Sequence, residues 1–90
     1  MSQIKMDAVA SVCEFLGDRE SIKTDVDIDD SLYVRRLYRK DDKVFIEVYE
    51  PEPYEHYPGA DEHGMVTLHC WIERLSTFQL ILFLEGLESA

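Results

Sequence analysis

Four aspartates crowd into one short stretch of the chain, and their spacing suggests calcium binding. Asp25, Asp27 and Asp29 match the first, third and fifth places from which an EF-hand loop supplies oxygen ligands. That loop also needs a glycine at its sixth place and a bidentate glutamate at its twelfth, where this chain has Asp30 and Arg36. Because an arginine would replace the strongest ligand, we expect no calcium site, and we predict no other bound metal or cofactor.

Histidine and cysteine are the other candidates for metal or nucleophilic chemistry. The sequence contains no Cys-x-x-Cys or His-x-x-x-His pair of the kind that holds zinc. Cys13 and Cys70 both lie in apolar patterns, which predicts buried thiols without the cationic setting that activates a nucleophile. Serine-hydrolase elbows and phosphate-binding glycine motifs are also missing from the sequence. We therefore predict that the protein is not an enzyme.

Two helices are predicted, one towards each end of the chain. Apolar residues at helical spacing cover residues 3–16, and Gly17 follows where a left-handed residue often ends a helix. Ser76 and Gln79 form a capping box that begins the second helix. This helix is apolar around nearly its whole circumference, so a single sheet face cannot bury all of it. We therefore predict a homodimer, with an interface that includes Phe78, Leu82 and Phe83.

Strand patterns occupy the middle of the chain. Aromatic and β-branched residues alternate with polar ones in 31–39, 43–50 and 66–75. Residues 21–29 alternate as well, but their aspartates favour an edge strand or an extended loop. The sheet face opposite the expected core collects many aromatic side chains, so something should cover or bind it. The predicted fold is a single α+β domain over residues 1–90, with an N-terminal helix, an antiparallel sheet of three to four strands and a C-terminal apolar helix packed on one face.

Net charge restricts the class of partner. Nineteen acidic residues against nine basic ones give a formal net charge of −10. The acids concentrate in residues 1–30 and 51–64, whereas residues 31–50 hold most of the bases. Because phosphates require a basic footprint, we expect no direct binding of nucleic acid. The apolar runs are too short to span a bilayer and no signal segment is visible, so we expect a cytoplasmic protein that does not bind membranes.

A basic protein surface is the natural partner of such a molecule. We predict that carboxylates of the 25–30 segment and the 52–62 loop contact it, with tyrosines and the tryptophan as apolar anchors. The predicted partner-binding residues are Asp25, Asp27, Asp29, Asp30, Glu52, Tyr54, Glu55, Tyr57, Asp61, Glu62 and Trp71.

Three binding functions fit this surface. The first is an inhibitor or decoy that mimics nucleic acid and occupies a basic groove, and in size and charge the chain resembles small acidic anti-defence proteins of phages and mobile elements. The second is an acidic dimeric chaperone or adaptor, because the order helix, strands, helix is similar to that of bacterial type III secretion chaperones, which are usually longer. The third is an immunity protein or antitoxin with a basic toxin partner. We favour the first function, although charge alone does not separate it from the third.

Overall fold

The computed structural model describes residues 2–51 and 55–89. The chain belongs to the predicted α+β class. Along the sequence, an N-terminal helix is followed by the strands of one antiparallel sheet and then by the C-terminal helices. The elements are α1 (Gln3–Leu16), β1 (Ser21–Ile28), β2 (Leu32–Lys40), β3 (Lys43–Glu50), β4 (Glu55–His56), β5 (Met65–Thr67), α2 (Leu68–Arg74) and α3 (Thr77–Ser89). No helix in the described part of the chain is both long enough and apolar enough to cross a membrane.

The sheet has the strand order β1-β2-β3-β4, and the short strand β5 also pairs with β3. Both β4 and β5 lie along the side of β3 that faces away from β2, so β1 forms the opposite edge. Burial alternates along β1, with its aspartates exposed and Val26 and Ile28 buried. The segment predicted as an edge strand or loop is therefore an edge strand.

Two β-bulges lie beside each other in β1 and β2. The register shifts between Lys23 and Val26 in β1, and between Val34 and Arg36 in β2. A bulge adds one residue to one strand and redirects the side chains that follow. Leu37 consequently lies in the core and is fully buried. Regular alternation along residues 31–39 would have placed this residue on the opposite face, together with Tyr33 and Arg35.

The three helices pack on one face of the sheet and form one hydrophobic core with it. Val12 and Leu16 of α1 and Phe83 of α3 are completely buried there. Trp71 of α2 meets Phe83 edge to face, with ring centroids 4.8 Å apart. This geometry is one that aromatic pairs prefer in protein interiors.

The predicted strand over residues 66–75 is wrong beyond its first residues. Only Met65–Thr67 is a strand, and α2 follows directly. Four apolar residues of this segment lie at the helical spacing i, i+3, i+4 and i+7, and all four are buried: Leu68, Trp71, Ile72 and Leu75. Because the segment is helical, Cys70 faces solvent and is not a core thiol, whereas Cys13 is half-buried against the core as expected.

Most of the apolar surface of α3 is buried within the chain itself. Leu80, Phe83 and Leu87 are buried, whereas Phe78 is 60% exposed and Ile81 is 48% exposed. Phe83 is therefore a core residue, which corrects its prediction as an interface residue. The exposed apolar surface of α3, from which we predicted a homodimer, lies on the first turns of this helix.

Candidate functional site

The helices cover one face of the sheet, and the opposite face, here called the outer face, carries no helix within the described residues. Tyr33, Tyr49 and His56 lie on neighbouring strands in direct register, and we call them the aromatic row. The rings of Tyr33 and Tyr49 are 6.5 Å apart with an interplanar angle of 28°, and His56 tilts against Tyr49 at 5.6 Å. Tyr38 and Phe45 form a second stacked pair at 5.4 Å. The aromatic face expected from the sequence therefore exists.

Carboxylates hold the two tyrosines of the aromatic row in place. The Tyr33 hydroxyl donates a hydrogen bond to Asp25, and the Tyr49 hydroxyl donates one to Glu47. The bond from Tyr33 keeps the pKa of Asp25 below its ordinary value, with a smaller contribution from Lys23. Burial raises the pKa of Tyr49, and the neighbouring Glu47 carboxylate raises it further. These bonds restrict ring rotation, so the rings form a preorganised surface.

Glu47 is the centre of a charged cluster on the outer face. It is only 4% exposed, although it projects from the face that has no helix over it. Its Oε1 accepts a hydrogen bond from Arg36 Nε at 2.8 Å, and its Oε2 lies 3.6 Å from Arg35 Nη1. The bulge in β2 directs both arginines to this face, where Glu47 offsets part of their charge. We did not identify Glu47 as a site residue from the sequence, because the bulge in β2 that brings Arg35 and Arg36 to it leaves no recognisable pattern in the sequence.

The outer face is electrically polarised along its strands. A depression of about 430 Å³ lies on one side of the tyrosine rings and is lined by Lys23, Asp25, Tyr33, Arg35 and Tyr49. Lys23 pairs with Asp25 there at 3.5 Å. The acidic β1–β2 turn lies at the opposite end of the face, so a partner meets bases on one side of the rings and acids on the other.

Three of the four clustered aspartates have a backbone role. Asp25, Asp29 and Asp30 have positive φ values of 48°, 50° and 53°, at the β1 bulge and in the β1–β2 turn. Aspartate is among the few non-glycine residues that adopt this conformation readily. Asp27 differs from them because it is exposed in a regular part of β1, directly opposite Tyr33.

The second acidic segment approaches the outer face through Asp61. Its Oδ1 accepts backbone hydrogen bonds from His63 at 2.8 Å and Met65 at 3.0 Å, and these bonds lower its pKa. Asp61 lies beside the outer face because Met65, its hydrogen-bond partner, pairs with Glu47 of β3. Burial raises the pKa of Tyr38, and the negative charge of Asp61 adds to this shift. Asp61 therefore both shapes its own loop and contributes negative charge beside the outer face.

The other predicted binding residues occupy different environments. Glu55 and Glu62 are exposed, and Glu52 and Tyr54 lie outside the described residues. Tyr57 is half-buried, with the Arg74 guanidinium 5.6 Å from its ring centroid, and Arg74 Nη1 also donates to the Pro58 carbonyl at 2.6 Å. These contacts attach the loop to α2. Trp71 is fully buried in the core, so its prediction as a surface anchor is wrong.

Comparison of the chain with protein-family models, with curated proteins and with solved structures finds no match in any of the three. The described residues also contain no group of three or more His, Cys, Asp or Glu side chains placed to hold a metal ion. The chemistry of the site must therefore be inferred from the outer face itself.

Proposed function

We propose that the protein binds a basic surface of a partner protein through its outer face, as an inhibitor or decoy that competes with nucleic acid. The observation that supports this proposal is the convergence of two acidic segments on one aromatic surface. Asp27 lies opposite Tyr33 in the register of β1 and β2. Asp61 accepts a hydrogen bond from Met65, which pairs with Glu47 of the outer face in the register of β3 and β5. These acids are more than thirty positions apart in the chain, and the fold brings both to the border of the same face.

The energetics of such a surface favour rapid encounter with a basic partner. A net charge of −10 on a 90-residue chain attracts positive surfaces over about one Debye length, roughly 8 Å at physiological ionic strength. Exposed carboxylates at the border of an interface act mainly on the association rate. Tyrosine rings that are already fixed lose little conformational entropy on binding, so they suit the centre of the interface.

Self-association is a second part of the proposal. Phe78 and Ile81 are the exposed apolar residues of α3, and Leu82 beside them is half-buried. A second copy that packs against this turn would remove the exposed surface from water. Sedimentation equilibrium tests the proposal: a dimer is expected at micromolar concentration, and Phe78→Lys should return it to a monomer. A mass of 10.5 kDa for the unmodified protein would contradict it.

The decoy function is tested in two steps with the tagged protein. Capture from a lysate of the cells that produce it, at low and at high salt, should yield a partner that is retained only at low salt. The purified partner should bind a nucleic-acid duplex, and the duplex should displace this protein in competition. A partner without nucleic-acid binding would exclude the decoy function and favour the antitoxin or adaptor alternative, whereas salt-independent capture would contradict the electrostatic basis of all three.

A further inference from the structure

Backbone conformation explains the other aspartates of the acidic stretch but does not explain why residue 27 is an aspartate. Its neighbours Asp25, Asp29 and Asp30 adopt positive φ values in a bulge and a turn, whereas Asp27 stands in a regular strand, where aspartate is a poor residue. The Asp27 carboxylate is exposed and makes no hydrogen bond or ion pair with the described residues. A solvent-facing acid at this position has a full set of acceptor sites available for a ligand.

From this arrangement we propose that Asp27, Tyr33 and Tyr49 form a receptor for one arginine side chain of the partner. The inference rests on the proposed function and specifies which chemical group of a basic partner the outer face recognises. Directly paired residues on neighbouring antiparallel strands have Cβ atoms about 4.5–5.5 Å apart, so the Asp27 carboxylate and the Tyr33 ring lie within reach of a single guanidinium.

The tyrosine rings supply a suitable platform for a planar cation. The rings of Tyr33 and Tyr49 have an interplanar angle of 28°, and neither residue is fully buried. Their hydroxyls donate to Asp25 and Glu47, which fixes the rings and increases the electron density that attracts a cation. A guanidinium stacks on such rings and pairs with a carboxylate through two parallel hydrogen bonds, whereas an ammonium is a compact and strongly hydrated charge.

The surrounding charges determine where the cation binds. On one side of the rings, the three bases Lys23, Arg35 and Arg36 outnumber the two carboxylates that pair with them, so the net charge there disfavours a further positive group. On the other side lie the Asp27 carboxylate and the turn with Asp29 and Asp30. An arginine is therefore directed to the Asp27 side. The aspartates of a second copy of this chain would be repelled from the same place, so a basic partner, and not self-association, is the occupant.

The receptor is tested by nuclear magnetic resonance titration of the whole protein with blocked pentapeptides. The probes are Gly-Gly-Arg-Gly-Gly, the same peptide with lysine, and the same peptide with citrulline, which keeps the shape of arginine without its charge. The arginine peptide should produce saturable shifts of the Tyr33 and Tyr49 ring signals and of the Asp27 carboxyl carbon. The lysine peptide should bind about threefold to tenfold more weakly, and the citrulline peptide should give no saturation.

Variants with matched charge locate the binding. Asp27→Asn and Tyr33→Leu should each weaken the arginine peptide about threefold to tenfold, whereas Asp18→Asn, which removes a charge elsewhere, should have little effect. Tyr33→Phe keeps the ring and should retain most of the binding even though it loses the hydrogen bond to Asp25. The fluorescence of Trp71 confirms that each variant is folded.

Two results would overturn the receptor. One is equal weakening by Asp27→Asn and Asp18→Asn, and the other is a set of unsaturated shifts spread over all exposed carboxylates, because both indicate a diffuse response to positive charge. Asp27 would then serve only to keep the edge of β1 from pairing with other chains. A partner that still binds in a salt-dependent manner would leave the proposed function standing, whereas the absence of any basic partner would remove that function whatever the peptides show.

Discussion

Glu47→Gln is the substitution that most sharply tests the organisation of the outer face. The change keeps the length and shape of the side chain but removes its negative charge. In the folded protein this carboxylate accepts hydrogen bonds from Arg36 and from the Tyr49 hydroxyl, and it forms an ion pair with Arg35. Glu47 is only 4% exposed. We expect the substitution to destabilise the fold and to loosen the Tyr49 ring.

The size of the effect follows from these contacts. Hydrogen bonds to charged groups contribute about 1.5–3 kcal/mol each. Two of the contacts are close: the hydrogen bond from Arg36 Nε, at 2.8 Å, and the hydrogen bond from the Tyr49 hydroxyl. Both arginines are about half exposed, so solvent screens them and they recover hydration when the charge is lost. Glutamine also keeps one acceptor oxygen. The expected loss is therefore about 2 kcal/mol of unfolding free energy, well below the sum of the individual contacts.

Urea denaturation followed by tryptophan fluorescence measures this loss directly. Trp71 is the single tryptophan and is fully buried, so its emission reports exposure of the core. For a domain of this length, a loss of about 2 kcal/mol corresponds to a fall of roughly 8–16 °C in the melting temperature. Glu14→Gln on the exposed surface of α1 is the matched control and should change stability by less than about 0.5 kcal/mol. If Glu47→Gln and Glu14→Gln have the same small effect, the cluster does not organise the outer face.

Three further predictions concern the surroundings of the site. Gly86→Ala should destabilise by about 1–3 kcal/mol in the same urea assay, because the added Cβ would lie 2.4 Å from Val26 Cγ1 where α3 crosses β1, and an unchanged midpoint would contradict this close packing. Cys70→Ser should shift the midpoint by less than about 0.5 kcal/mol, since Cys70 is exposed on α2, and a large loss would restore the core position first predicted for it. Stability should be retained up to pH about 10 and then fall, because burial raises the pKa of Tyr38 and Tyr49 above 10.0 and the tyrosines of the unfolded chain therefore ionise first. Thermal melts from pH 8 to 11 test this prediction, and a melting temperature that does not change with pH would refute it.

Local chemistry made several elements predictable from the sequence. The capping box is formed as expected. The backbone nitrogen of Gln79 donates to Ser76 Oγ at 3.1 Å, and the backbone nitrogen of Ser76 donates to Gln79 Oε1 at 3.0 Å. The hairpin between β2 and β3 turns at Asp41 and Asp42, which both have positive φ. These features depend on neighbouring residues, so a single sequence contains the signal.

Features that depend on distant parts of the chain were not predictable in the same way. The segment that begins at Leu68 contains aromatic and β-branched residues suited to a strand, but its apolar residues also have helical spacing. Packing in the core decides between the two patterns and favours helix α2. The misassigned period placed Trp71 on the surface. The two bulges depend on how β1 and β2 align, and they bring Arg35 and Arg36 to Glu47. Aromatic enrichment of the outer face was visible in the sequence, but the cluster that organises it was not.

The central claim, that acids bordering the outer face recruit a basic partner, is tested most directly by the association rate at several salt concentrations. The comparison uses the unmodified protein and two triple variants that neutralise equal numbers of acids. The first variant, at the border of the outer face, combines Asp27→Asn, Asp29→Asn and Asp30→Asn. The second, on α1 and its C-terminal end, combines Asp7→Asn, Glu14→Gln and Asp18→Asn.

The captured and purified partner serves as the binding protein in stopped-flow or surface measurements. We predict that the first triple variant associates more slowly and with a flatter dependence on salt, because charges near an interface act on the encounter rate more than distant charges do. The second triple variant should stay close to the unmodified protein. Equal slowing by both variants would show that net charge alone drives association, and it would contradict the assignment of the outer face as the binding surface.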